Sequence, residues 1–72
     1  MKLRIVREGL LDGKTHRIMK MIVDYVSSYG IKPEGMDLEV AFSIEEDLCR
    51  EIANDVEKRF RRHLKYIEVA CL

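Results

Sequence analysis

The apolar residues of this 72-residue chain repeatedly change their spacing, and that rhythm constrains the fold more than any other feature. "KLRIVR", Lys2 to Arg7, alternates: Leu3 and Ile5 point one way, and Lys2, Arg4 and Val6 point the other. A period of two is the pattern of a strand with one buried face, and Gly9 is expected to end it. From Gly13 to Tyr29 the period becomes helical, with Thr15, Ile18, Met19, Ile22, Val26 and Tyr29 on one stripe and Tyr25 at its edge. Gly30 stands where a helix end favours a left-handed residue, and Pro33 follows soon after. "IKPEG" reads as a turn.

"MDLEVAF", Met36 to Phe42, is the expected second strand, with Leu38, Val40 and Phe42 on one side and Asp37, Glu39 and Ala41 on the other. Ser43 followed by Glu46 has the spacing of a capping box, which opens a second helix at Ser43. Its apolar stripe runs through Leu48, Cys49, Ile52, Val56 and Phe60, with His63 in line as a packed residue. Glu45, Glu46 and Asp47 lie at the positive end of its dipole, and Lys58, Arg59, Arg61 and Arg62 at the negative end. Glu46–Arg50, Asp55–Arg59 and Glu57–Arg61 have the spacing of favourable helical pairs. The final "KYIEVACL" alternates again as a third strand, Ile67, Val69 and Cys71 against Tyr66, Glu68, Ala70 and Leu72.

The expected fold is α/β of the α+β kind, one domain over residues 1–72: a two-layer βαβαβ unit with a three-stranded sheet and two helices on one face. Alternating strands call for only one covered face. Right-handed crossovers on that side favour the spatial order one, two, three. A chain this short buries about 60% of the surface it exposes when unfolded, so its core is marginal and support from a partner is useful.

The uncovered sheet face is expected to carry Arg4, Glu39 and Glu68 with Tyr66, Val6, Ala41 and Ala70 among them. A half-apolar back on a small sheet invites association. Arg4, Glu39, Tyr66 and Glu68 are therefore the expected interface, toward a second copy or a protein partner.

Thirteen basic residues balance thirteen acidic ones, so an anionic partner must be met by local clusters. The first lies in "EGLLDGKTHR", Glu8 to Arg17, where Gly9, Gly13, Lys14 and Thr15 spell a phosphate loop one residue short. The short loop and small domain speak against nucleotide hydrolysis, but Lys14, His16 and Arg17 still oppose the dipole of the helix they open. An anion held by backbone N–H groups and these cations would explain the exception. The plainer reading has Asp12 capping the helix and the cations in water or against Asp47, Glu51 and Asp55. The second cluster is "KRFRRHLK", Lys58 to Lys65, whose Arg61 and Arg62 suit phosphates if they share a face with Lys14 and Arg17.

No catalytic set emerges, and neither a metal site nor a cofactor motif is expected: His16, His63, Cys49 and Cys71 lack ligand spacing. Cys49 reads as a small core residue and Cys71 as a reachable thiol, both reduced in the cytosol. The amino terminus has no signal-peptide pattern and no apolar run reaches the ~20 residues that span a bilayer, so no membrane association is expected. The absence of Gln, with Asn54 the single Asn, suits a thermophile protein, against which four Met and two Cys stand. The chain thus reads as a small non-enzymatic protein acting by self-association or protein contact, or alternatively as a module for phosphate or nucleic acid.

Overall fold

The computed structural model describes residues 1–8, 13–36 and 38–72. Gly9 as a strand end, Asp12 as a helix cap and the phosphate-like loop between them lie outside the described residues, as does Asp37.

Strand β1, Lys2–Arg7, forms where alternation places it. Helix α1 spans Gly13–Ser27 and buries Thr15, Met19, Ile22 and Val26. Gly30 ends the turn after it at φ +86°, accepting the left-handed conformation at which a Cβ is penalised. The sheet then departs from expectation, because it has four strands among the described residues. Pro33–Met36 is strand β2 and Glu39–Ser43 is strand β3, so the segment expected as turn plus one strand is a hairpin. Its tip closes Met36 against Glu39. Gly35 makes the closure, with φ +84° and space so tight that a Cβ would lie 2.7 Å from the Glu39 carbonyl oxygen. Leu38 consequently sits at the tip and is 48% exposed, instead of facing the core with Val40 and Phe42.

Helix α2 spans Glu46–Arg59 and buries Cys49, Ile52 and Val56. The capping box does not form: Glu45 is the N-cap, and Ser43 remains the last residue of β3, opposite Lys2. The sheet ladder takes Ser43 and delays the helix. The helix also ends at Arg59, and Arg61–Tyr66 continue as a 3-10 helix, η1. The changed pitch turns His63 outward, so it is exposed and not packed on the α2 stripe. Strand β4, Ile67–Cys71, completes the sheet.

The strand order is β2-β3-β1-β4, with antiparallel pairing throughout, in place of the order one, two, three. Because β1 and β2 both run opposite to β3, α1 joins two parallel strands with β3 inserted between them. Likewise α2 joins β3 to β4 across β1. These interleaved crossovers make the βαββαβ arrangement called ferredoxin-like or split βαβ. The two-layer plan stands, with the core between helices and sheet built on Leu3, Ile5, Ile22, Phe42, Ile52 and Val56.

Cys49 and Cys71 form a disulfide, which corrects the expectation of two reduced thiols. Cys49 comes from the buried stripe of α2 and Cys71 from the core side of β4, and their Cα atoms are 6.2 Å apart, within bridging reach. The bond ties the sheet's outer strand to the helix above it. Among the described residues, no helix is long and apolar enough to cross a membrane.

Candidate functional site

The first residues of α1 and the 3-10 segment meet at one end of the molecule. Lys14, Thr15 and Ile18 from α1 and Arg62, His63, Lys65 and Tyr66 from η1 line one concavity of about 270 Å³. At roughly 30 Å³ per water, it has room for a phosphate group with part of its hydration. Thr15 is buried, whereas Lys14, Arg62, His63 and Lys65 are exposed. Tyr66 is 50% exposed, and the Lys65 ammonium lies 5.3 Å from its ring centroid. The Glu8 N–H donates to the Tyr66 carbonyl at 2.8 Å, fixing η1 to the end of β1.

Of the five cations read from the sequence as an anion site, Lys14 and Arg62 are brought together here. His16 is not: it is two residues around the helix from Lys14 and lines a separate groove with Met19, Lys20, Val23, Pro33, Gly35 and Val40. Arg17 and Arg61 are exposed and do not line the concavity. His63, Lys65 and Tyr66 were missed as members, and the reason is the helix end. Extending α2 through His63 puts these residues on the wrong faces, while the 3-10 turn collects them.

The open face of the sheet has a different character. Arg4 Nε donates to Glu39 Oε1 at 2.7 Å, and Lys2 Nζ donates to Glu34 Oε2 at 3.0 Å. The Lys2 ammonium beside Glu34 holds its carboxyl below the ordinary carboxylate range. Arg4, Val6, Glu68, Ala70 and Leu72 line a shallow depression across β1 and β4. Arg4, Glu39 and Glu68 therefore share this face, but Tyr66 does not, because it closes η1 on the helix side.

A third cluster joins the helices. Tyr25 and Tyr29 hydroxyls donate to Asp55 Oδ2 at 3.0 and 3.1 Å, and Arg59 lies 4.9 Å over the Tyr25 ring. The Tyr25 hydroxyl, followed by that of Tyr29, holds the Asp55 carboxyl below its usual range, and the bond with Tyr25 raises the Tyr29 phenol. Asp55 is therefore engaged by tyrosines instead of the α1 cations. Of the three helical pairs read from the sequence, only Glu46–Arg50 is an ion pair among the described residues, at 2.8 Å.

Arg7 is the unexpected residue. It is 3% exposed on the core side of β1, and its Nε and Nη1 have no hydrogen-bond partner among the described residues. His16 and His63 line different cavities and both cysteines are spent in the disulfide, so these four do not converge on a metal. No protein-family model matches the chain, and no curated protein sequence matches it.

Proposed function

We propose that the chain is a non-enzymatic binding module whose basic concavity receives a phosphate-bearing ligand, with single-stranded nucleic acid as the ligand class. The observation that supports this reading is the meeting of Lys14, Arg62 and Lys65 around an exposed aromatic ring, Tyr66. Cations gathered in one concavity can neutralise phosphates, and a tyrosine face stacks a base of any sequence. The open sheet face suits nucleic acid less well: it presents Glu34, Glu39 and Glu68 and offers no aromatic platform among its described side chains.

The test is a fluorescence titration with a short single-stranded oligonucleotide at low and moderate salt. Three phosphate contacts give a log–log salt slope of about −2, and R62A/K65A reduces its magnitude by about 1.4. Tyr66→Ala weakens the oligonucleotide by about 1–3 kcal/mol and leaves inorganic phosphate unaffected. Affinity that does not fall with salt rejects the proposal.

A second reading, association through the open sheet face, is favoured by the half-buried Val6, Ala41 and Ala70 and the 61% exposed Leu72, over which no helix or strand packs among the described residues. A second copy is the partner we infer for this face. The double reversal Arg4→Glu with Glu68→Arg changes the solution mass if the face is an interface, and leaves it unchanged if the face is only solvated.

A further inference from the structure

The two outer strands of the sheet are treated differently by the sequence. The β2 edge is guarded: Pro33 lacks an N–H, and Gly35 bends the backbone at φ +84°. Proline and irregular backbone are the usual means by which proteins stop a sheet from growing. The β4 edge, "IEVAC", has no proline, glycine or lysine, and among the described residues no strand lies beyond it.

Its hydrogen-bond parity follows from the pairing with β1. Lys2 and Leu72 exchange both backbone bonds, 2.7 and 2.8 Å, which makes them a hydrogen-bonded pair. Such pairs recur every second residue, so Ala70 and Glu68 also turn their backbone groups toward β1. Val69 and Cys71 therefore direct their N–H and C=O groups outward, as does the carbonyl of Ile67. The Cys49–Cys71 disulfide holds this strand against α2, so the edge is ordered before any partner arrives.

We propose that β4 is a self-pairing edge: two copies join antiparallel β4 strands about a two-fold axis at Val69, with four strands from each copy forming one eight-stranded sheet. In that register Val69 meets Val69 of the second copy, and Ile67 meets Cys71. Glu68 meets Ala70, so the two carboxylates do not face each other. A second copy is the occupant because the strand is complementary to itself about Val69: the two-fold register sets apolar residues opposite apolar residues and keeps each Glu68 from lying directly opposite its counterpart. The inference is independent of the basic concavity, and it competes with the open-face reading, since it uses backbone groups instead of Arg4 and Glu68 and only one of the two predicts a dimer that survives their reversal.

The experiment is light scattering on the ligand-free protein across concentration, with amide exchange on the same samples. The mass is expected to reach twice the 8.5 kDa of the chain. Val69→Pro removes an outward donor without touching the bonds to β1, and is expected to halve that mass with the far-ultraviolet spectrum retained. The Arg4/Glu68 reversal is expected to leave the dimer intact. If Val69→Pro does not fold, the wild-type amides decide: slow exchange at Val69 and Cys71 that quickens on dilution supports the edge pair. A wild-type monomer at millimolar concentration overturns it. So does a dimer that survives Val69→Pro, or one whose Val69 and Cys71 amides exchange as freely as in the monomer.

Discussion

Arg7 carries its guanidinium into the core layer with Nε and Nη1 unpartnered among the described residues. An ion in that position loses hydration without full compensation, a penalty on the order of several kcal/mol for a buried charge. Arg7→Met is therefore expected to raise the thermal midpoint, which a melting curve reads directly. Asp55 predicts a pH effect of definite sign. Its folded-state pKa lies below the unfolded one because Tyr25 and Tyr29 donate to the carboxylate. The stabilisation is present above the unfolded value, about 4, and is lost as pH falls through the depressed folded value. Asp55→Asn should flatten that acid limb of the melting profile. At this scale the sequence was informative wherever parity governed. Leu3, Ile5, Val40 and Phe42 are buried on the expected side, and the same alternation puts Arg7 there too.

At the level of elements, the chain was legible in its interiors and misread at its joints. The hairpin is the clearest case, because Met36 to Phe42 alternates without interruption while the tip at Leu38 breaks the strand. Backbone geometry at Gly35 decides this, and a hydrophobic pattern does not record it. Gly35→Ala is expected to cost more than Gly30→Ala, although both have positive φ. Gly30 has open space, so its cost is about 1–2 kcal/mol from conformation alone, whereas at Gly35 the added Cβ also meets the Glu39 carbonyl. Chemical denaturation of the two variants makes the comparison. The disulfide was within reach of the sequence, since Cys49 and Cys71 each lie on the core side of their element. It closes a loop of 22 residues, for which chain entropy gives about 3 kcal/mol. Reduction should therefore lower the melting midpoint by roughly 15 °C in a domain of this size.

For the molecule as a whole, the layering followed from strand alternation, but strand order did not. The expectation of adjacent parallel strands failed because the hairpin supplied an extra strand, and β3 could then insert beside β1. The candidate site shows the same division. A helix rule and a basic run single out Lys14 and Arg62 in the sequence, yet their meeting with Lys65 and Tyr66 depends on α2 stopping at Arg59. The interleaving also bears on how the protein is made. Strand β1 is synthesised before the other three, yet it is flanked by β3 and β4, and Leu3 finds one neighbour at Phe42 and the other at Cys71. Its backbone has no sheet partner while the intervening chain is being translated, and pairings so distant in sequence form slowly. A ribosome pausing before Ile67 would leave that central strand with one side bare, so β1 waits for the latest-made of its two neighbours before its backbone is fully enclosed.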